Sequence, residues 1–145
     1  EKIPEVEEVW AMDRLDELIS KVDWFVVTAP ITKETSNLID ARRIGLLKKD
    51  AYIVIISRRG IVDEAALANA LITKSIAGAA IDAFAKEPLS DESPFWDMEN
   101  CIISAHASAY TKEMALGRMN VFQENLRRYL NKENFLYVCD KKAGF

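Results

Sequence analysis

The sequence predicts an α/β fold built on a doubly wound, parallel β-sheet. Four short apolar runs are nearly continuous rather than alternating, which is typical of strands covered on both faces. Segments with helical periodicity lie between those runs, so the chain indicates βαβ units with right-handed crossovers. Half of the 145 residues are apolar, which is enough for one domain with a hydrophobic core.

The predicted elements alternate along the chain. The strands are predicted at 24–30, 51–57, 76–84 and 101–105, and the helices at 12–22, 40–49, 63–74 and 111–132. Apolar residues share one face of the first helix, at Leu15, Leu18, Ile19 and Val22. Residues that commonly cap a helix N-terminus precede the other three, at Asp40, Asp63 and Thr111. A further short strand is expected at 5–11.

Composition argues against several classes of partner. The net charge is −4 without a block of Lys or Arg, which disfavours nucleic acid and anionic membranes. No apolar run approaches the roughly 18 residues of a membrane span, and the acidic N-terminus lacks a signal-peptide core. Cys101 and Cys139 fit incidental thiols in a reducing compartment, so we expect a cytoplasmic protein. The single histidine, His106, excludes a multi-histidine metal site within this sequence, and we predict no metal site.

Polar residues cluster after the predicted strands. In open α/β sheets, ligands bind outside the carboxyl ends of the strands. The residues there, in strand order, are Ala29 and Pro30, then Arg58 and Arg59, then Asp82 with Glu87 a few residues on, and His106. A cation, carboxylates and an imidazole at one edge suit an anionic substrate that undergoes proton transfer.

Each of these residues also has a purely structural interpretation. Arg58 and Arg59 fit solvated charges, Asp82 fits the cap of a turn, and Glu87 fits a surface loop. His106 fits a structural histidine equally well. The connection 85–100 is long and polar, which favours a functional loop, and its Phe95 and Trp96 suit either a pocket wall or the core.

Four segments resemble a known family. "APITKETSNLID", "SRRGIVDEAALANAL", "IAGAAIDAFAKEPL" and "SPFWDMENCIISAH" resemble, in order and spacing, the signature segments of the D-isomer-specific 2-hydroxy acid dehydrogenases. The resemblance runs from about residue 12 to the end, where "VCDKKAGF" is similar to the glyoxylate/hydroxypyruvate-reductase-like branch. It implies the second half of a doubly wound, Rossmann-type NAD(P)-binding domain.

The resemblance also implies roles for individual residues. The catalytic arginine is Arg59, immediately before Gly60; the catalytic glutamate is Glu87, immediately before Pro88; and the catalytic histidine is His106. Asp82 matches the aspartate at the nicotinamide carboxamide. The other positions that it places at the cofactor are Ala29, Pro30, Ser57, Arg58 and Ser108, although Arg58 also fits a solvated side chain.

The implied reaction is hydride transfer between NAD or NADP and a small 2-keto or 2-hydroxy acid. A guanidinium at Arg59 suits a bidentate grip on the substrate carboxylate. His106 would exchange a proton with the substrate oxygen, and Glu87 beside the ring is expected to keep the acid form available near neutrality. The hydride chemistry belongs to the cofactor.

The sequence departs from the family pattern in several places. These 145 residues contain no G-x-G-x-x-G phosphate loop and no ribose selector, so NAD and NADP are not distinguished. Ile56, Arg58 and Ala105 replace an asparagine, a small residue and a proline. Lys74 stands where a left-handed glycine is usual, at a cost of about 1 kcal/mol.

Those departures define the expected organisation. We expect residues 1–132 to form a partial dinucleotide-binding domain that lacks the first strands, and 133–145 to be a tail that returns to a substrate domain outside this sequence. An exposed edge at the first apolar run predicts that the chain dimerises, exchanges elements with another copy or is the ordered part of a longer protein, with a homodimer the first expectation. We expect little turnover from the chain alone, and the alternative is a non-catalytic oligomerisation or regulatory module.

Overall fold

The computed structural model describes residues 5–142, so the first four residues of the predicted domain and the last three of the predicted tail lie outside it. The strands are β1 Trp24–Val27, β2 Tyr52–Ile55, β3 Gly78–Ile81 and β4 Cys101–Ile103. The α-helices are α1 Leu15–Ile19, α2 Ala41–Ile44, α3 Glu64–Ile72 and α4 Lys112–Leu130. Two 3₁₀ turns cover Met12–Arg14 and Pro94–Asp97.

The four strands form one parallel sheet in the order β1-β2-β3-β4. The predicted α/β fold with a parallel sheet is thereby confirmed. The register aligns the carboxyl ends of the strands, at Val27, Ile55, Ile81 and Ile103. The loops that follow the four strands therefore all open at one edge of the sheet.

The hydrophobic core lies between one face of this sheet and helices α1, α2 and α3. Ile53 and Ile55 alternate inward on β2, as the period of two along a strand requires. They belong to one buried cluster with residues of all three helices, including Ile19, Ile44 and Leu67. Burial of these apolar surfaces supplies most of the driving force for folding.

The opposite face of the sheet is exposed. Trp24 and Tyr52 stack on it with their ring centroids 4.6 Å apart, and Val26 and Ile102 also lie there. The side chains of Trp24 and Ile102 keep 63% and 73% of their accessible surface. The expectation of strands covered on both faces is therefore wrong for this face. An apolar run shows that a face of the sheet can be buried, but it does not show which element covers that face.

The predicted helix caps are present. Asp40 accepts from the Arg43 amide, Asp63 from the Ala66 amide and Thr111 from the Met114 amide, at 2.8, 3.0 and 3.1 Å. These side chains satisfy amides that the first turn of a helix leaves without partners. The first two helices are shorter than predicted, since 12–22 begins as a 3₁₀ turn and α2 ends at Ile44.

The predicted strand at 5–11 is wrong for the described chain. Residues 5–11 adopt no regular structure, and Val6 and Val9 are exposed. A strand needs a neighbour to satisfy its backbone groups, and β1, at the edge of the sheet, pairs only with β2 among the described residues.

Helix α4 stands apart from the core. None of its residues is buried. An exposed apolar stripe runs along it, at Leu116, Met119, Phe122, Leu126, Tyr129 and Leu130. The described part of the tail folds against α4, where Asn125 pairs with both backbone groups of Leu136. None of the helices in residues 5–142 combines the length and apolarity that crossing a membrane requires.

Candidate functional site

A histidine–glutamate pair lies at the carboxyl edge of the sheet. His106 Nδ1 is 2.9 Å from Glu87 Oε2 and 3.0 Å from Glu87 Oε1. Glu87 follows β3 and His106 follows β4, so two neighbouring strands bring the pair together. Both side chains remain partly exposed, and the backbone of His106 is left-handed with φ 51°.

The loop backbone also holds Glu87. The Phe84 amide donates to Glu87 Oε1 over 3.0 Å. The hydrogen bond with His106 and then the one from Phe84 lower the pKa of Glu87 below its usual range. Burial opposes them less strongly, and the nearby charge of Arg59 adds a smaller lowering effect. An ionised Glu87 therefore faces the Nδ1 side of the ring and leaves Nε2 for other partners.

Asp82 organises the loop that carries His106. It is 4% exposed, and its carboxylate accepts from the hydroxyls of Ser104 and Ser108, both at 2.6 Å. The amides of Ala107 and Ser108 also donate to it, at 2.8 and 3.1 Å. Burial by itself raises the pKa of Asp82, but these four donors outweigh it and lower the pKa to about 2.

Arg59 lies in the turn after β2. Gly60 adopts φ 80°, a left-handed conformation that glycine accepts without steric cost, and its carbonyl accepts from the Asn37 amide at 2.7 Å. Arg59 is exposed and forms no hydrogen bond or ion pair within residues 5–142, although its charge contributes to the lowered pKa of Glu87. Its guanidinium is thus available to an anion.

The remaining predicted residues are distributed around the same edge. Ala29 and Pro30 follow β1, and the exposed Arg58 donates to the carbonyl of Ser57. Ser57 is 5% exposed, and its Oγ is buried without a hydrogen-bond partner in the described structure. A buried hydroxyl without a partner is costly, so this position fits a polar ligand group.

A cavity of about 730 Å³ opens beside the pair. Asp82, Glu87 and His106 line it, whereas Arg59, Ser57 and Ser108 do not. Trp96 forms part of its wall, while the neighbouring Phe95 is buried against Phe84 in the core. The two aromatic residues of the 85–100 connection therefore have different roles. In residues 5–142, no group of three or more His, Cys, Asp or Glu is placed to hold a metal ion.

Two hydrogen bonds at the candidate site were not visible in the sequence. Ser104 forms one of the shortest bonds to Asp82, and Glu64 accepts from the Ala85 amide. Glu64 follows the cap residue Asp63 and looks like an ordinary acidic residue in the first turn of a helix. Only the crossover that places α3 beside the loop after β3 could have indicated its contact.

Comparison with known proteins identifies the family. Residues 1–108 match the family model "D-isomer specific 2-hydroxyacid dehydrogenase, NAD binding domain". The chain therefore belongs to the D-isomer specific 2-hydroxyacid dehydrogenase family.

Individual relatives agree with this assignment. The chain is 35% identical over 119 residues to glyoxylate/hydroxypyruvate reductase B of Pectobacterium carotovorum, covering 82% of this chain and 37% of that protein. It resembles the NADPH complex of a D-isomer specific 2-hydroxyacid dehydrogenase from Xanthobacter autotrophicus, with a TM-score of 0.81, 34% identity and coverage of 92% and 54%.

A second structure matches the whole chain. It is an NADPH-dependent glyoxylate/hydroxypyruvate reductase from Sinorhizobium meliloti in complex with NADP and sulfate, with a TM-score of 0.89 and 27% identity. The match covers 47% of that structure. The chain thus spans about half or less of the length of these relatives.

Proposed function

We propose that the chain is the NAD(P)-binding and catalytic portion of a 2-hydroxy acid dehydrogenase. The reaction is hydride transfer between NAD or NADP and a small 2-keto or 2-hydroxy acid. The observation that carries the proposal is the His106–Glu87 pair, which lines a cavity at the edge where α/β sheets bind ligands. Family membership and the NADP(H) complexes of two relatives support the choice of cofactor.

His106 is the proposed acid and base. With Nδ1 held by Glu87, Nε2 is the atom that gives a proton to the keto oxygen during reduction and takes it back during oxidation. Glu87 fixes the ring orientation and balances the charge of the protonated ring. The cofactor, when bound, supplies or accepts the hydride.

Arg59 is the proposed clamp for the substrate carboxylate. Its guanidinium is permanently charged, exposed and without a hydrogen bond in the described structure, and it lies close enough to Glu87 to influence that carboxyl group. Two parallel hydrogen bonds to a carboxylate would orient the keto carbon for reaction.

The support for the proposed cofactor contacts differs from residue to residue. The unpartnered Ser57 hydroxyl supports a polar contact, and Ala29, Pro30 and Arg58 stand at the same edge. Asp82 and Ser108 are committed to the loop that holds His106. Their contact with a nicotinamide therefore requires the carboxylate to share its hydrogen bonds.

Mutation of the whole gene product that carries this sequence tests the proposal. His106→Ala is expected to lower kcat/KM for glyoxylate or hydroxypyruvate by roughly 10²- to 10⁴-fold, the usual contribution of an acid or base. Arg59→Ala is expected to raise KM strongly, and Arg118→Ala on α4 is the matched arginine control. Activity unchanged in both site variants contradicts the proposed function.

The 145 residues alone are proposed to turn over little or no substrate. They contain no G-x-G-x-x-G loop to hold the cofactor pyrophosphate. Oxidation of NADH or NADPH by the isolated chain with glyoxylate, abolished by Arg59→Ala, would contradict this expectation.

Self-association is a second proposal, and the exposed apolar surfaces favour it. The sheet face around Trp24 and Ile102 and the stripe on α4 are both exposed, and a homodimer covering either one would remove apolar surface from water. An oligomerisation or regulatory module is accordingly the alternative function. Sedimentation of a stable 16.4 kDa monomer would argue against self-association.

A cytoplasmic location stays a prediction from cysteine usage.

A further inference from the structure

Two consecutive amides in the loop after β3 each donate to a glutamate. The Phe84 amide donates to Glu87, and the Ala85 amide donates to Glu64 Oε1. Because these amides belong to adjacent residues, the two carboxylates lie close together although they are far apart in the sequence. Glu64 is therefore a neighbour of the His106–Glu87 pair.

Glu64 and its partner loop differ in how far their surroundings are buried. Glu64 begins α3, whose Leu67 and Leu71 are buried in the core, and Asp63 caps that helix. In contrast, the four residues 85–88 are all exposed. A bond from a packed helix to an exposed loop restrains the loop, so the contact transmits the position of α3 to Glu87.

The environment of Glu64 is unfavourable for a charge. Burial raises the pKa of Glu64, the nearby Glu87 acts in the same direction, and the Ala85 amide opposes them. A simple role in stabilising the helix N-terminus does not require this placement, since any acidic side chain in the first turn would serve.

We propose that Glu64 is a positioning residue for the Glu87–His106 pair. Its carboxylate reaches the Ala85 amide and fixes the loop in which the Phe84 amide holds Glu87 against the ring. The catalytic relevance of this role rests on the proposed function, whereas the positioning itself does not. Glu64 acts through Glu87 and touches no reacting atom.

The tautomer of His106 reports this positioning directly. A carboxylate at Nδ1 selects the neutral tautomer with the proton on Nδ1, because that nitrogen must then donate. A ring released from Glu87 loses this selection. The chain has a single histidine, so its ring ¹⁵N signals are assigned without ambiguity.

Three substitutions at position 64 separate the length of the side chain from its charge. Glu64→Gln keeps an oxygen at the same distance but removes the charge. Glu64→Asp keeps the charge and the helix N-terminal interaction but is one methylene too short to reach Ala85. Glu64→Ala removes both, and Glu113→Ala in the first turn of α4 is the matched control for a first-turn glutamate.

The experiment records ring ¹⁵N shifts of the 145-residue chain at a pH where the imidazole is neutral. We expect the Nδ1–H form to dominate in the unaltered chain, in Glu64→Gln and in Glu113→Ala. We expect a shift towards Nε2–H in Glu64→Asp, in Glu64→Ala and in the positive control Glu87→Ala. Exchange of the Ala85 amide with D₂O should accelerate in the Asp and Ala variants alone.

Two results would overturn the proposal. One is a Glu64→Asp chain with an unchanged tautomer, since Asp retains the fold-stabilising charge and tests only reach. The other is a Glu64→Gln chain that behaves like Glu64→Ala, which would show that charge rather than position matters. Turnover is not measured here, so failure of the dehydrogenase proposal would leave this result standing, and the reverse also holds.

Discussion

The two faces of the sheet differ in what covers them. One face packs against three helices and holds side chains such as Ile53, which is fully buried. The other presents Trp24, Tyr52 and Ile102 to solvent, although its residues are equally apolar. The contrast teaches that apolar content specifies a face that can be buried, whereas the partner that buries it must be present. The covered face should therefore govern stability, and the exposed face should govern association.

The largest expected effect breaks the covered face. Leu67→Ala in α3 should lower the free energy of unfolding by about 2–5 kcal/mol, because it leaves a cavity beneath a fully buried side chain. Ile72→Ala, on the same helix but 63% exposed, is the control and should cost much less. Equal losses in urea unfolding would show that the helix does not pack as described.

The second-largest expected effect is a loss of stability at Asp82, which lies at the carboxyl edge of the sheet. Asp82→Ala should cost about 2 kcal/mol, because it leaves two hydroxyls and two amides without their acceptor. The pKa of Asp82 is lowered from 3.8 to about 2, so its stabilisation is present above about pH 4. It should disappear as the pH falls towards 2. An unfolding difference between wild type and variant that does not shrink over this range would contradict the assignment.

A charge on the exposed face should sharpen the comparison. Ile102→Glu should weaken self-association by about tenfold or more, equivalent to about 1.4 kcal/mol, while leaving the stability of the monomer nearly unchanged. Ile72→Glu, on an exposed position of α3, is the control for added charge. Sedimentation equilibrium measures the self-association of both variants, and urea unfolding measures their stability. A stability loss in Ile102→Glu would mean that this face is packed within the monomer.

The smallest expected effect is a gain in stability at the end of α3, the helix that packs on the covered face. Lys74 ends α3 in a left-handed conformation with φ 53°, within a motif that bonds Ser75 N–H to the Ala70 carbonyl. Lys74→Gly should raise the free energy of unfolding by up to about 1 kcal/mol. Lys49→Gly, at an exposed turn position whose φ is not positive, is the control, and an equal gain there would remove the conformational explanation.

Local features of the fold were predictable from the sequence, whereas features that depend on partners were not. Asp40, Asp63 and Thr111 cap the helices as predicted, because a cap involves only residues three apart. The left-handed backbone at Lys74, which the glycine usual at this position in the family implied, is also present. The strand at 5–11 failed, since pairing is decided by a neighbour that the local pattern does not contain.

The candidate site divides in the same way. Strand order predicted that an arginine, Asp82, Glu87 and His106 would share one edge of the sheet. The structure brings the last three to one cavity, whereas Arg58 and Arg59 do not line it. The commitment of Asp82 to Ser104 and Ser108 was not predicted, because it depends on how the loop after β4 folds back. The catalytic and cofactor-binding roles remain predictions for the mutants described above.

The left-handed backbone of His106 restricts which substitutions at this position are informative. Asparagine tolerates this conformation better than most residues, whereas a β-branched side chain strains it. An asparagine at this position therefore separates loss of the imidazole from distortion of the loop. Libraries that sample residue 106 should consequently return asparagine among the well-folded members and deplete valine and isoleucine, whatever activity is selected.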